Sequence, residues 1–385
     1  MCLCGYKKKY MKRIEFSPRP NWQNTIEQQG FLFNDEGNYW KENAAYSFSE
    51  QEILQIEKAT GEIFSMCCEA VDYVIKREWY DRFFIDKKYG ELIRWSWQED
   101  QPSLYGRMDL SVNKDRISLL EFNADTPTSL LESAVIQWYW MKDVKPMADQ
   151  FNSIHEKMLE HFKVIRRWRK SNLMHFCCQE GSMEDLMTVK YMEDVAQQAD
   201  LDTRFLYMNE LSFDTRQNCF TDNLFEPIET IFKLYPYEWM LAEEFGPELI
   251  ATREQCWWIE PAWKMLLSNK MILCVLHELF PRSPYILPCK TTKPHSGDYV
   301  QKPIYSREGA NVDIWINGRS VEKTGGEYGS EGFVYQQYAP LPDFNGNYPV
   351  VGSWVIGGEA AGMGIRESDG LITGNTSRFV PHYFE

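Results

Sequence analysis

The sequence has no run of about 18 apolar residues, so nothing in it reads as a membrane-spanning helix. Its first residues, "MCLCGYKKKYMKR", are basic, but no apolar stretch follows, so they do not read as a secretory signal. Residues 1–10 read as an N-terminal extension, with either Met1 or Met11 as the natural start. There is no CxxC among the ten cysteines, which include only the adjacent pairs Cys67–Cys68 and Cys177–Cys178. There is no HExxH either, since His277-Glu278 lacks its second histidine. Both absences argue against a zinc site. The thiols then read as reduced, mostly buried side chains of a cytoplasmic protein. No GxxxxGK[ST] is present, which excludes a P-loop. Positive charge is also scarce: 41 Lys and Arg stand against 56 Asp and Glu, a net charge of −15. That balance argues against general nucleic-acid binding, although a local basic pocket for an anion would be hidden in it.

What is present is a long, aromatic-rich chain. Its 385 residues suggest two to three structural units, and 14 Trp allow a large, rigid core. "SEQEILQIEKATGEIFSMCCEAVDYVIKRE" (49–78) has a Ser/Glu start and apolar residues three and four apart, the pattern of a capped amphipathic helix. Helical patterning resumes over 129–165. "LMHFCC" (173–178), a polar turn, a helix over about 184–199 and "RFLYMNEL" (204–211) follow in β-turn-α-β order, which predicts a small open α/β unit. A further strand and helix lie within 223–245. "KMILCVLHELF" (270–280) reads as a helix. "YVQKPI" (299–304), "VDIWIN" (312–317), "GFVYQQYA" (332–339) and "YPVVGSWVIGG" (348–358) read as strands among glycine-rich loops. The fold class is therefore α+β, mostly antiparallel.

The chemistry concentrates in "YGRMDLSV" (105–112), "NKDR" and "ISLLEFNADTPTSLLES" (117–133). Turn residues between two apolar runs predict a hairpin. Side chains alternate faces along a strand, so Arg107 shares a face with Asp109, and Glu121 with Asn123. If Val112 opposed Ile117, Asp109 would oppose Leu120 and the polar pairs would split. If Asn113 opposes Ile117, across Lys114-Asp115-Arg116, Asp109 opposes Glu121 and Arg107 opposes Asn123. The second register is predicted, because it gathers the polar set and leaves Met108, Leu110, Leu120 and Phe122 for the core. Two carboxylates and an amide oxygen suit a hard cation such as Mg²⁺, with phosphates and water completing its shell. An adjacent arginine suits charge developing in phosphoryl or acyl transfer. On spacing alone, the same residues also fit a solvated hairpin face with an incidental ion pair.

"YGRMDL" with "EFNADTPTS" resembles the glutathionylspermidine synthetase family, specifically its synthetase module. "PRPNWQ", "YW", "SNK", "KPIYSREGANV" and "SRFVPHYF" extend the resemblance from about Pro18 to Glu385. It implies an ATP-grasp fold over 11–385. An α/β subdomain would cover about 166–262 and an ATP-binding, β-rich portion about 263–385, with no amidase domain. It implies Arg107 as the catalytic arginine and Asp109, Glu121 and Asn123 as Mg²⁺ ligands. Lys270, Lys302, Arg307, Gln336 and Arg366 would bind ATP, with Gln336 against the adenine and Arg307 in a loop over the phosphates. Thr126 and Thr128 stand where the family has serines at the acyl end of the substrate. Glu184 and Asp185 stand where it has an acidic pair near a polyamine. From the residues alone, that acidic pair equally fits the first turn of the following helix.

The activity implied is an ATP- and Mg²⁺-dependent ligation of a carboxylate to an amine through an acyl-phosphate. Its small-molecule partners would be glutathione or another peptide or amino acid, and a polyamine or other amine, with no nucleic acid or membrane. A regulatory relative that binds ATP without turnover, or a phosphotransferase at the same nucleotide site, would share these motifs.

Overall fold

The computed structural model describes residues 10–32, 39–168 and 171–385. The expected extension 1–10 thus lies, except for Tyr10, outside the described residues. The architecture is α+β with mostly antiparallel sheets.

The central sheet has five strands. The hairpin Tyr105–Asn113 and Arg116–Asn123 lies at one side, followed by Tyr348–Ile356, Glu359–Ser368 and Arg378–Val380, all antiparallel. Arg116–Asn123 is therefore an edge strand. A second antiparallel sheet, here the cover sheet, is formed by Cys289–Lys290, Phe333–Gln337, Tyr299–Pro303, Asp313–Ile316 and Arg319–Lys323. The C-terminal strands are thus shared among three sheets. The last of them, His382–Phe384, joins Ala44–Phe48 and Lys12–Glu15.

The α/β pattern over 173–211 forms as predicted. Leu173–Cys178 and Asp202–Tyr207 pair in parallel across the helix Met183–Gln198, and Thr230–Leu234 and Trp257–Ile259 extend the sheet, also in parallel. The helical pattern over 129–165 is interrupted. A π turn at Glu132–Ile136 leads into Gln137–Val144, and a separate helix follows at Ile154–Trp168.

The helix Glu50–Arg77 backs the central sheet. Ser49 and Glu52 form the capping box read from the sequence, and Lys76 and Arg77 occupy the last turn, where cations suit the helix dipole. Its stripe Ile53, Ile56, Ile63, Cys67, Val71 and Val74 is buried. The stripe carries one polar tie, a 2.7 Å hydrogen bond between Thr60 and Ser353 hydroxyls. Phe64 meets Phe122 edge to face at 6.4 Å. The long helix thus presses directly on the hairpin.

The hairpin combines both registers considered above. At the turn, Asn113 opposes Arg116 and Val112 opposes Ile117 across the two residues Lys114 and Asp115. Lys114 takes a left-handed φ of 56° to make that turn. A β-bulge at Leu120 then absorbs one residue, so Asp109 opposes Glu121 and Arg107 opposes Asn123. The predicted pairing of the polar residues therefore holds, but the predicted three-residue loop is replaced by a tighter turn and a bulge. Met108, Leu110 and Phe122 enter the core, as expected. Leu120 does not. As the bulged residue it is half-buried and faces a cavity.

Loss of the Ser49 hydroxyl leaves a helix-end N–H without its acceptor. Ser49→Ala is expected to cost about 1 kcal/mol of unfolding free energy, read by urea denaturation, with ligand affinities unchanged.

Candidate active site

The bulge turns Asp109 and Glu121 toward one cleft. Asp109 is buried, and its carboxylate accepts from Arg107 Nε at 2.9 Å and from Arg366. Glu121 accepts from Lys270 Nζ at 3.2 Å. Burial opposes both charges, but Arg107 and Arg366 outweigh it at Asp109, and Lys270 does so at Glu121. Both carboxyls stay below the usual range. Gly352 lies opposite Asp109 on the next strand. A Cβ there would come 2.8 Å from Arg107 Cδ, so glycine makes room for the arginine.

"SNK" supplies three separate ties. Ser268 accepts from Ala124 N–H at 3.2 Å, and Asn269 accepts from Met271 N–H at 2.8 Å, capping the helix Met271–Leu279. Lys270 then reaches both Glu121 and the Ser306 carbonyl, the latter at 2.6 Å. Lys302 Nζ donates to the Leu120 carbonyl at 2.9 Å and to Gln336 Oε1 at 2.8 Å. Burial pulls its ammonium down to about 8, against the support of Glu121. Arg107, Lys270, Lys302 and Arg366 thus surround two carboxylates, leaving a surplus of positive charge.

The "ADTPTS" turn lies beside this cluster. Asp125 forms a fully buried pair with Lys233 at 2.6 Å and accepts from Tyr237 N–H at 3.0 Å, fixing the turn to the parallel sheet. Asn123 bonds the backbone of Thr126 at 3.3 and 3.4 Å. Arg107 Nη1 donates to the Thr128 carbonyl at 2.7 Å. Arg307 donates to the Thr126 hydroxyl at 2.5 Å and to Glu238 at 2.7 and 3.2 Å. Arg307 therefore spans the threonines and Glu238, away from Lys302.

A cleft of about 400 Å³ joins these residues to Glu184 and Asp185. It opens beyond the carboxyl ends of Leu173–Cys178 and Thr230–Leu234, where open parallel sheets commonly bind ligands. Glu184 and Asp185 do occupy the first turn of Met183–Gln198, and Ser182 caps that helix through Asp185 N–H. They also line the cleft, so both readings of the pair hold at once. Beneath them is Glu132, 2% exposed, with Oε1 lacking a hydrogen-bond partner. Burial, then Glu184, pushes Glu132 up to about 7, and burial, then Glu184, pushes Asp185 up to about 6. A second cavity of about 100 Å³ adjoins the cleft at Glu121, lined by Lys302, Gln336, Val300, Ile314, Leu341 and Ile372.

The cleft therefore brings together Arg107, Glu121, Asn123, Thr126, Thr128, Glu184, Asp185, Lys270, Arg307 and Arg366, and the side cavity takes Asp109, Lys302 and Gln336. Sequence reading missed Glu132, Tyr39, Tyr235, Glu238, Trp239 and Lys233. Two of these carried a signal. Glu132 interrupts the apolar "SLLESAVI", and Lys233 sits inside the strand "TIFKL". Each is a charge where the pattern calls for core.

A metal would find two carboxylates on one side of the cleft. Among the described residues no three His, Cys, Asp or Glu converge as a metal cage. The donor set thus fits a Mg²⁺ that shares its shell with phosphates, and does not fit a tightly caged ion.

Comparison with known proteins agrees with this geometry. A family model described as "Glutathionylspermidine synthase preATP-grasp" matches residues 13–385. A Haemophilus influenzae protein named "Putative acid–amine ligase" is 39% identical, covering 97% of this chain and all of the relative. Trypanothione synthetase of Crithidia fasciculata and the bifunctional glutathionylspermidine synthetase/amidase of Escherichia coli are each 26% identical. The chain spans 52% and 58% of their lengths. A glutathione synthetase-like effector of Globodera pallida shares the fold at TM-score 0.56 and 10% identity, covering 96% of this chain and all of the effector. The class is that of carbon–nitrogen ligases acting on an acid and an amine. The chain belongs to the glutathionylspermidine synthase family. No helix among the described residues is long and apolar enough to cross a membrane.

Removing one partner of the buried Lys233–Asp125 pair leaves an uncompensated charge. Lys233→Met is expected to lower unfolding free energy by about 3–5 kcal/mol, measured by chemical denaturation.

Proposed function

We propose that this protein is an ATP-grasp enzyme that joins a small carboxylic acid to an amine at the expense of ATP. The observation that carries this reading is the division of charge in one cleft. Arg107, Lys270 and Arg366 make its cationic end, Glu184 and Asp185 its acidic end with Glu132 buried behind that pair, and two threonines also line it. A triphosphate suits the first end and an ammonium the second.

Adenine takes the apolar side cavity, with Lys302 at its mouth. Asp109, Glu121 and Asn123 are the residues that would hold Mg²⁺, Asn123 being bonded to the Thr126 backbone in the ligand-free protein. The bound ion supplies charge neutralisation to the phosphates. The acid substrate lies along Thr126 and Thr128, its carboxylate presented to the γ-phosphate. Carboxylate oxygen attacks phosphorus, and the bond to ADP breaks, giving an acyl-phosphate. Arg107 and Arg366 stabilise the transferring charge, and Arg307 orients the acid from the Thr126 side. The amine, held by the acidic end, gives up a proton to a carboxylate of that end, its freed lone pair attacks the acyl carbon, and the carbon–oxygen bond to phosphate breaks. Lys270, tied to Ser306, keeps the loop around Arg307 against the site, which limits attack by water.

The family relatives named for glutathionylspermidine and trypanothione synthesis support a peptide-like acid and a polyamine-like amine. Thr126 and Thr128, in place of serines, add bulk at the acyl end. The test is a screen of acids and amines with ATP, read by phosphate release and product mass. An amide product supports the reading, and a stable phosphorylated product in its place overturns it.

Glu121→Ala and Arg107→Ala are each expected to lower ATP turnover by about 10²–10³-fold in protein that is still folded, as checked by circular dichroism. Near-normal turnover in Glu121→Ala would remove Glu121 from the metal site. A second expectation concerns pH. The Glu132 carboxyl, raised to about 7 by burial and Glu184, is protonated below neutrality and cannot then attract an ammonium. Asp185, raised to about 6, titrates just below it, while Tyr39 and Arg107 also act on Glu132. Amine affinity should therefore rise between pH 6 and 8. Because the folded carboxyl binds its proton more tightly than the unfolded one, Glu132 costs stability as pH rises from about 4 through 7. Glu132→Gln should flatten both profiles. Unchanged calorimetric profiles in that variant would exclude Glu132 from the amine site.

A further inference from the structure

Gln336 is 2% exposed, and both ends of its amide are in use. Its Oε1 accepts from Lys302 Nζ at 2.8 Å, and its Nε2 donates to the Leu119 carbonyl at 2.9 Å. The ammonium fixes this orientation, since a flipped amide would set donor against donor. Lys302 in turn donates to the Leu120 carbonyl at 2.9 Å. Successive carbonyls of a regular strand point to opposite sides, so one neighbouring sheet cannot ordinarily collect two in a row. Here the bulge at Leu120 turns Leu119 and Leu120 the same way, at the open edge of the central sheet. Gln336 and Lys302 are opposite strands of the cover sheet, on Phe333–Gln337 and Tyr299–Pro303. The two side chains thus fasten that sheet to the strand that carries Glu121.

We propose that Gln336 is a positioning residue for nucleotide binding, holding Lys302 at a fixed distance from the Glu121 strand rather than reading the adenine with its side chain. This rests on the proposed nucleotide site. Gln336 then contributes to affinity only through the phosphates that Lys302 meets. Adenosine, which carries none, should be indifferent to it.

The experiment is isothermal titration of the full chain with adenosine, ADP and GDP in the presence of Mg²⁺, for wild type, Gln336→Met, Lys302→Met and the double variant. Gln336→Met should weaken ADP about tenfold, as for loss of a hydrogen bond to a charged group. It should leave adenosine affinity and the preference for ADP over GDP unchanged. The double variant should bind ADP no more weakly than Lys302→Met alone. Equal weakening of adenosine and ADP, or a relaxed base preference, would overturn the proposal, as would independent, additive losses. Should Gln336→Met fail to fold, Gln336→Leu takes its place in the same comparison: ADP binding weakened with adenosine spared supports the coupling, and equal losses refute it. A wild type that binds no adenine nucleotide overturns the nucleotide reading and this proposal with it, whereas a selective loss in Lys302→Met but not in Gln336→Met overturns this proposal alone.

Discussion

Charges can be buried only where they are compensated, and this site is organised around that constraint. Asp109, Lys302 and Lys270 are buried and Glu121 is half-buried, and burial opposes the charge at Asp109, Glu121 and Lys302. Each is kept charged by partners from distant parts of the chain. Arg107 comes from the same strand as Asp109, Arg366 from two strands away, Lys270 from a helix start and Lys302 from another sheet. The cluster therefore exists only when the central sheet, the cover sheet and the helix at Met271 are assembled. Asp125 and Lys233 extend the same logic to the parallel sheet. Elements of three sheets are thus tied together, by ion pairs within the central sheet and to the parallel sheet and by the Lys302 hydrogen bonds to the cover sheet.

Much of the metal end was legible in the sequence because its residues alternate on two adjacent strands. Period-two spacing sets the face of each side chain, and a hairpin brings the faces together. The bulge was not legible. Turn length and bulge position compensate one another, so a three-residue loop without a bulge and a two-residue loop with one give the same pairing at Asp109–Glu121. Only the backbone distinguishes them, and the difference matters, because the bulge frees the carbonyls that receive Lys302 and Gln336. The distribution of the C-terminal strands was hidden for a related reason. Strand patterns over 289–380 are clear one by one, but pattern alone does not say that 348–380 completes the sheet begun at Tyr105.

The acidic end was read from two residues and contains more. Glu184 and Asp185 announce themselves as an acidic pair at a helix start, a pattern that capping alone would explain. What changes the balance is Glu132, brought beneath them from another helix and left with an unpartnered oxygen. A capped helix end does not require a third, buried carboxyl with an oxygen left unpartnered. The cost of that arrangement appears as the upward displacement of Glu132 and Asp185, while the carboxyls at the other end are displaced downward. Opposite shifts within one cleft mark where an incoming cation and an incoming anion would each relieve the local imbalance.

The ligand-free pairing also constrains how the proposed substrates enter. Arg107 and Arg366 are engaged with Asp109, Lys270 with Glu121 and Arg307 with Glu238. Phosphate oxygens arriving alone would have to take these cations from the carboxylates and leave Asp109 and Glu121 buried without partners. A divalent ion arriving alone would compete with the same cations for two carboxylates. Arriving together, the ion replaces the cations at the carboxylates and the cations turn to the phosphates, so no charge is left bare. On the proposed reading, metal and nucleotide binding would be coupled positively and reciprocally through the three cations that pair with Asp109 and Glu121. Lys302 differs from the others. It rests on a carbonyl and an amide oxygen instead of a carboxylate, so it can meet a phosphate without giving up an ion pair. On the proposed reading, Lys302 in the adjoining side cavity is available to the nucleotide before that exchange begins.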